Sequence, residues 1–440
     1  MLYAILLSTA LFNVAFFFQN MFGWLIFFFP VPLWLFFRRN FYTPAYPPQV
    51  AHPEERTLVR VSKGLMGSKS KNYFKYGLLW GALVFGFHFT WTVQLLFTHS
   101  HAPWWLCLIA YSILVFYFAL SSGLWFVCAG LLKRLLVLCK FRCATSCALF
   151  ISILGYWWFL DGWVLFPVGL GRGYPFVNPL IPLASYRWFL HLLGIVFGGV
   201  VNQAPLDLPL TYVAPVVNRI KNVDAVWKSN PYGVSKRIEE SLDKASHSIV
   251  LSPESSFLFP LNHYQHLVDR WCNKAPENSH LFIGSLYQAG SHLYQAVFWL
   301  HKSLIIKVYV KKHLTPFVEK IPDQWRGITA LKEAFLRTGS EFSDVKPAGT
   351  ADVFDVTPNV RLIPRLCLEF FVYSSRAEFD CYKDPTKTVA IAFFVNDSWF
   401  NRYFRTTLVN LTRLKCQLIG LPVVYIGHYG CTLINPCQPV

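Results

Sequence analysis

Long apolar blocks dominate the first 200 residues of the chain, and short apolar runs replace them in the second half. A helix needs about 20 mostly apolar residues to cross a bilayer. The pattern therefore predicts a polytopic α-helical membrane domain over residues 1–206. About six apolar segments make up this domain, at 3–18, 22–37, 76–97, 104–132, 145–169 and 188–202. The first two are joined at Gln19-Asn20 and predict a helical hairpin.

The second half predicts an α/β domain over residues 207–440. Here short apolar runs alternate with polar stretches that have helical periodicity, which is typical of strands and helices packed around one core. The strands are predicted at 210–217, 248–251, 281–284, 304–310, 362–366, 389–396 and 422–426, and helices at 234–245 and 406–418. The proline-rich stretch 205–209 is the natural linker between the two domains.

Composition supports a membrane protein. Hydrophobic residues make up 54% of the chain and charged residues only 14%, which is too apolar for an ordinary soluble protein. The net charge is +17, but the Lys and Arg residues of the first half cluster in the loops 38–75 and 133–144, whereas the loop 98–103 has none. This alternation predicts that the two basic loops face the cytoplasm and anionic lipid, and it argues against nucleic acid as the partner.

The cysteines and the N-terminus indicate no metal, cofactor or cleaved signal. Several of the eleven cysteines lie inside apolar segments and do not form a disulfide pattern. Cys139, Cys143 and Cys147 have a spacing that zinc could use, but no matching Cys or His pair follows. The apolar N-terminus lacks a basic region and a small-residue cleavage site, so we expect it to be a retained membrane segment.

Three polar residues follow predicted strands and together supply thiol chemistry. Glu254, Lys311 and Cys367 come in that order along the chain. A thiol attacks as a thiolate, so it needs a base or a neighbouring cation, and the oxyanion that follows needs a fixed donor. Each residue also has a simpler interpretation: Glu254 as a charge at a helix N-terminus, Cys367 as a buried core residue, and Lys312 in place of Lys311. Strand alternation sends the two lysines to opposite faces.

In this order the fragments resemble the Glu–Lys–Cys signature of the carbon–nitrogen hydrolase (nitrilase) superfamily. Residues 309–319, Tyr-Val-Lys-Lys-His-Leu-Thr-Pro-Phe-Val-Glu, are similar to the lysine segment of the apolipoprotein N-acyltransferase family. Residues 396–400, Asn-Asp-Ser-Trp-Phe, resemble that family's Asn-Asp-Ala-Trp-Phe. Residues 173–176 resemble its Gly-Phe-Pro-Trp loop, and residues 79–93 resemble its third span.

The resemblance implies a helical membrane domain followed by an αββα nitrilase-like sandwich. It implies that Cys367 forms a thioester with an acyl chain from a phospholipid, with Glu254 as the base and Lys311 stabilising the intermediate. The acyl group then passes to the N-terminal amine of a diacylated apolipoprotein. Supporting acids would be Glu319 and Glu369, and the residues flanking the substrate would be Asn396, Trp399 and Phe400. The family also implies a monomer without cofactor in the bacterial inner membrane, with its catalytic domain outside the cytoplasm.

Several features depart from the family pattern. The chain ends before the family's closing strands and last membrane helix, and Val318 replaces a glycine of the lysine motif. Six spans rather than seven would place the catalytic domain in the cytoplasm, unless 188–202 is re-entrant or interfacial. Two other functions therefore stay open: a membrane-anchored amidase of the same superfamily, and a non-enzymatic member that binds lipoproteins or lipid.

Overall fold

The computed structural model describes residues 2–39, 68–98, 103–139, 141, 143–165, 174–196, 210–212, 231–243, 249–315, 319–321, 323, 326–327, 342–343, 347, 349–372 and 376–436. The chain forms two compact units. The first comprises Met1–Gln94, Ala102–Val164 and Gly173–Ser185; the second comprises Leu95–His101, Leu165–Arg172 and Tyr186–Val440. The predicted linker at 205–209 and most of the basic loop 38–75 lie outside the described residues.

The first unit is helical. Its elements are α1 (Leu2–Phe17), α2 (Gln19–Phe22), a 3-10 turn (Gly23–Phe27), α3 (Pro30–Arg39), α4 (Ser68–His88), α5 (Thr90–Thr98, whose end belongs to the second unit), α6 (Trp104–Leu138) and α7 (Ala144–Gly162). Among the described residues, three helical stretches are long and apolar enough to cross a membrane: Gln19–Arg38, Trp104–Val137 and Ala144–Gly162. Leu2–Phe17 is apolar but shorter, and it packs against α3 as the predicted hairpin requires.

The predicted segment 76–97 is divided into two helices. Helix α4 ends at His88 and α5 begins at Thr90. At this break the hydroxyl of Thr90 donates to the carbonyl of Phe87, and the hydroxyl of Thr92 donates to that of Phe89. Threonine hydroxyls compete with main-chain amides for such carbonyls, so they favour a local interruption that hydropathy does not reveal.

Small residues bring α4 and α6 close together. A Cβ atom on Gly77 would lie 2.6 Å from the carbonyl oxygen of Ser122, and one on Gly81 would lie 2.4 Å from its hydroxyl. Gly123 faces Phe74 in the same way. Glycines four residues apart let helix backbones approach closely, a packing mode that is common between helices in lipid.

The second unit contains two β-sheets. Sheet 1 has the order β1-β2-β4-β5-β6, with β3 also paired to β4, and sheet 2 has the order β11-β10-β9-β8-β7. The strands are β1 (Leu210–Tyr212), β2 (Ile249–Leu251), β3 (Phe257–Pro260), β4 (His280–Ala289), β5 (His292–His301), β6 (Leu304–Val310), β7 (Phe354–Thr357), β8 (Val360–Leu366), β9 (Thr388–Phe394), β10 (Val423–Gly427) and β11 (Gly430–Ile434).

The two sheets pack face to face, with helices outside. The inner core joins Phe282 and Trp299 of sheet 1 to Leu362 and Phe394 of sheet 2. The helices of this unit are α8 (Arg187–Val196), α9 (Pro231–Leu242), α10 (Gln265–Lys274), α11 (Leu368–Val372), α12 (Arg376–Asp380) and α13 (Arg402–Ile419). Helices α9 and α10 cover the outer face of sheet 1, and α13 packs on sheet 2. The predicted αββα layering is therefore present in this unit.

The sixth predicted apolar segment is described only as helix α8, and residues 197–202 lie outside the described part. Ten residues of helix span about 15 Å, half of a hydrocarbon core. One side, with Phe189, Leu190 and Leu193, is buried, whereas Trp188 and Ile195 are exposed. The described part therefore has an amphipathic pattern.

Candidate active site

Glu254 lies in the segment that connects β2 to β3. Both strands pair with β4, and the residues between them pass over Gly284. Small polar side chains hold this segment: the hydroxyl of Ser256 donates to the carbonyl of Pro253 (2.6 Å), and the amide of Gly284 donates to the hydroxyl of Ser252 (3.3 Å). The residue after Glu254, Ser255, has φ 60°, a conformation that costs energy for a non-glycine residue.

Lys311 follows the last residue of β6, and its amide donates to the carbonyl of Gln295 on β5 (2.8 Å). Its ammonium group lies between two carboxylates. Nζ donates to Glu254 Oε1 at 2.9 Å and to Glu319 Oε1 at 2.8 Å. All three side chains are at most 4% exposed. Lys312, the adjacent candidate, instead pairs with Asp352 at 2.8 Å, and both of those side chains are about one-third exposed.

Cys367 follows β8 and precedes α11, at a sharp strand-to-helix turn. Its φ is 45°, and its amide donates to the carbonyl of Phe394 on β9 (2.8 Å). A non-glycine residue at positive φ is strained, and nucleophiles of some other folds occupy strand-to-helix turns of this kind. The residue as a whole is partly exposed.

Burial and charge act together on this group. Burial raises the pKa of the Cys367 thiol, the charge of Glu254 raises it further, and Lys311 opposes both. Burial also raises the pKa of Glu254, against the lowering effect of Lys311. Burial alone would lower the pKa of Lys311, but the facing Glu254 and Glu319 carboxylates hold it well above its ordinary value. The resting group is therefore a neutral thiol beside a permanent ammonium and a carboxylate of raised basicity, which suits proton transfer from sulfur.

The two supporting acids predicted from the sequence have different partners. Glu319 accepts from Lys311 and, through Oε2, from the amide of Thr315 at 2.7 Å. Glu369 does not contact the ammonium: it accepts from the amides of Lys312, His313 (3.0 Å) and Leu366 (3.0 Å) and from the hydroxyl of Tyr309 (2.9 Å). Glu369 thus holds the segment that carries Lys311 against the turn that carries Cys367.

The three residues predicted to flank the substrate also differ from one another in their contacts. Asn396 contacts the site through its main chain, because its amide donates to Glu254 Oε2 at 3.0 Å. Phe400 packs against Phe404 of α13, with ring centroids 4.7 Å apart. Trp399 ends a 3-10 turn, Asp397–Trp399, and its side chain lies outside the described part of the structure.

Two residues near Glu254 were not predicted from the sequence. The imidazole of His428 lies 2.8 Å from the carbonyl oxygen of Glu254, and Asp397 binds the amide of His428 at 2.6 Å. Asp397 stood inside a recognised motif, next to Asn396, so a signal for it was available. His428 lies in the turn between β10 and β11 and had no comparable signal.

Gly284→Ala is expected to disrupt the site specifically. A Cβ atom there would lie 2.0 Å from the carbonyl oxygen of Pro253 and 2.8 Å from the Cα of Glu254, so the main chain beneath the carboxylate must move. We expect a loss of about 1–3 kcal/mol in the free energy of unfolding, together with lower activity. Gly233→Ala in α9 is the control: its Cβ meets open space, and stability should be unchanged or rise by up to ~1 kcal/mol. Chemical denaturation of both variants measures this, and equal stability of the two would contradict the contact.

Comparisons with known proteins found similar folds and no family. No family model and no curated protein matches the chain. A glutamine-dependent NAD+ synthetase from Acinetobacter baumannii, in complex with ADP, is 13% identical with a TM-score of 0.33, over 48% of this chain and 39% of that chain. A CN-hydrolase superfamily protein from Xanthomonas campestris, with an arsenic adduct in its active site, is 11% identical with a TM-score of 0.30, over 45% of this chain and 70% of that one. A glutamine-dependent NAD(+) synthetase from Cytophaga hutchinsonii is 10% identical with a TM-score of 0.30, over 45% of this chain and 33% of that one.

The chain thus spans well under half of either synthetase. At these identities and TM-scores the similarity assigns neither a family nor an activity to this chain.

Proposed function

We propose that the chain is a membrane-bound N-acyltransferase. It would transfer a fatty acyl chain from a phospholipid, through a thioester on Cys367, to the N-terminal amine of an S-diacylglyceryl-cysteine apolipoprotein. The observation that carries the proposal is the buried Glu254–Lys311–Glu319 group, whose charges act on the Cys367 thiol. The resemblance of residues 309–319 to the lysine segment of the N-acyltransferase family supports acyl transfer rather than hydrolysis.

The first half-reaction forms the thioester. Glu254 takes the thiol proton as Cys367 Sγ attacks the ester carbonyl of the phospholipid, and the carbonyl electrons move onto oxygen. The Lys311 ammonium is the nearby cation that can stabilise this oxyanion. When the intermediate collapses, the C–O bond breaks, the lysophospholipid alkoxide takes the proton from Glu254, and the acyl group stays on sulfur.

The second half-reaction again uses Glu254 first as the base and then as the acid. The free amine of the acceptor attacks the thioester carbonyl, and Glu254 takes the proton that the nitrogen loses. The C–S bond then breaks, the thiolate recovers the proton from Glu254, and an amide has formed. One carboxylate therefore serves both steps, and the ammonium keeps its charge throughout.

The helical unit supports a lipid substrate. Moving an acyl chain from a bilayer into water costs about 0.8 kcal/mol per CH₂, so the enzyme must work at the membrane surface. Large apolar side chains are exposed along α6, among them Trp104, Ile113 and Phe116, where an aqueous environment would be unfavourable. Within the proposal, the location is the bacterial inner membrane, the catalytic unit faces away from the cytoplasm, and the chain acts as a monomer.

Product analysis tests the proposal. The purified full chain is incubated in detergent with phosphatidylethanolamine that carries isotope-labelled acyl chains and with a synthetic S-diacylglyceryl-cysteine peptide. We expect a peptide whose mass has increased by one labelled acyl group and a matching amount of lysophospholipid. Labelled free fatty acid with unmodified peptide, or hydrolysis of small amides instead, would identify a hydrolase and overturn the proposal. Absence of acylated peptide, lysophospholipid, free fatty acid and hydrolysed amide would favour the non-enzymatic alternative.

A further inference from the structure

The main chain of Glu254 is held by a side chain from the far end of the sequence. His428 Nε2 lies 2.8 Å from the Glu254 carbonyl oxygen. A carbonyl oxygen only accepts, so Nε2 carries the hydrogen. Both residues are buried, and burial lowers the pKa of His428 to about 4. The imidazole is therefore neutral near pH 7 and remains a single directed donor.

His428 is itself fixed by a buried carboxylate. Asp397 Oδ1 accepts from the amide of His428 at 2.6 Å, and Asp397 Oδ2 accepts from the hydroxyl of Tyr425 at 3.0 Å. The approach is so close that a Cβ on Gly427 would lie 2.4 Å from Asp397 Oδ2. Asp397 thus determines the position of the turn between β10 and β11, from which the imidazole projects.

The two ends of Glu254 are held by neighbouring residues of one segment. The amide of Asn396 binds Glu254 Oε2 directly, and the next residue, Asp397, reaches the Glu254 main chain through His428. Support of this kind is needed because Ser255, which follows Glu254, has the unfavourable φ of 60°. Without it the segment could relax and rotate the carboxylate.

We propose that His428 and Asp397 are positioning residues that set the orientation of the Glu254 carboxylate toward the Cys367 thiol. The inference rests on the proposed role of Glu254 as the base for that thiol. It goes further by assigning a function to the turn between β10 and β11, which contributes no group to the proposed chemistry.

Alkylation of Cys367 tests the inference without the lipid substrates. The rate of reaction of the full chain with iodoacetamide at pH 7 is measured by mass spectrometry of the Cys367 peptide. We expect His428→Leu to slow this reaction by about 10- to 100-fold, since small displacements of a catalytic group have effects of that size. His428→Gln retains an N–H at a similar reach and should recover the rate to within a few fold of the wild type. Asp397→Asn should give an intermediate rate.

Two further variants separate the possible outcomes. His301→Leu also removes an imidazole bonded to a main-chain carbonyl, that of Ser279, at the far end of β5 from Gln295, and it should leave the rate unchanged. Glu254→Gln gives the rate without the base. If Glu254→Gln is as fast as the wild type, the proposed role of Glu254 fails. If Glu254→Gln is slow but folded His428→Leu reacts like the wild type, or if His428→Gln is as slow as His428→Leu, the positioning inference alone is overturned. Thermal unfolding of each variant gives the folded fraction for which the rates are corrected.

Discussion

Cys367→Ala is expected to lower acyl transfer by about 10³-fold or more while the protein stays folded. In the proposed mechanism Cys367 is the nucleophile, so its loss removes the covalent route entirely. The substitution deletes one sulfur atom and leaves in place the hydrogen bond that the main-chain amide of residue 367 donates to the Phe394 carbonyl. The free energy of unfolding should therefore change by less than about 1 kcal/mol. Intact-mass spectrometry after incubation with phospholipid should show one added acyl group on the wild type and none on the variant.

Cys381→Ala is the matched control, because Cys381 is an exposed cysteine of the same unit whose thiol lies 2.9 Å from the carbonyl of Glu378. It should acquire the acyl group at the wild-type rate. An acyl group on Cys367→Ala would show that another residue is the nucleophile, and the thioester mechanism would then be wrong.

Lys311→Met is expected to destabilise the protein by about 3–5 kcal/mol at neutral pH, since it leaves buried charges without their partner. In the variant, the buried carboxylates of Glu254 and Glu319 no longer have the ammonium between them. Thermal and denaturant unfolding of the full chain in detergent, followed by tryptophan fluorescence, measures the loss. Lys312→Met is the control: its pair with Asp352 is partly exposed, and such pairs contribute about 0–1 kcal/mol.

The loss should also depend on pH. In Lys311→Met the lowering effect of the ammonium on the pKa of Glu254 is lost, so the folded-state pKa of Glu254, already raised by burial, rises further. Stability then falls as pH increases through that pKa. We therefore expect a smaller deficit at pH 5 than at pH 8. In the wild type the pKa of Lys311 is raised above 10.5, so its stabilisation is complete below that pH and is lost only above it. Equal losses in the two lysine variants, or a deficit independent of pH, would contradict this account.

Hydrophobic patterning predicted the strands that carry the site, because each is a short apolar run that ends at a polar residue. The predicted strand at 304–310 coincides with β6, and the one at 362–366 lies within β8. Strand β5 was missed because the polar Gln295 interrupts its apolar run. A usable signal was present, since Gly290-Ser291 is a two-residue hairpin turn with Gly290 at φ 59°. Strands β3 and β7, each four residues long, were not predicted.

Glu254, Lys311 and Cys367 could be selected as candidates from the sequence because each follows a strand and belongs to a recognisable fragment. The contact between His428 and Glu254 could not be predicted, since it joins residues 174 positions apart and ends on a main-chain carbonyl. Every residue has such a carbonyl, so no side-chain pattern marks the one that accepts. The close approach of Gly284 to Pro253 is hidden for the same reason.

The hydrogen bonds of Glu369 link the formation of the site to the packing of the two sheets. Its carboxylate accepts from residues that follow or end β6 in sheet 1 and from Leu366 at the end of β8 in sheet 2. Displacement of one sheet along the other by a single residue, about 3.3 Å, would break these bonds and separate Lys311 from Cys367. Lys311 and Cys367 therefore reach their native positions only when the sheets have docked in register. In the proposed mechanism, a chain whose sheets have not docked therefore lacks the ammonium and the carboxylate that assist Cys367.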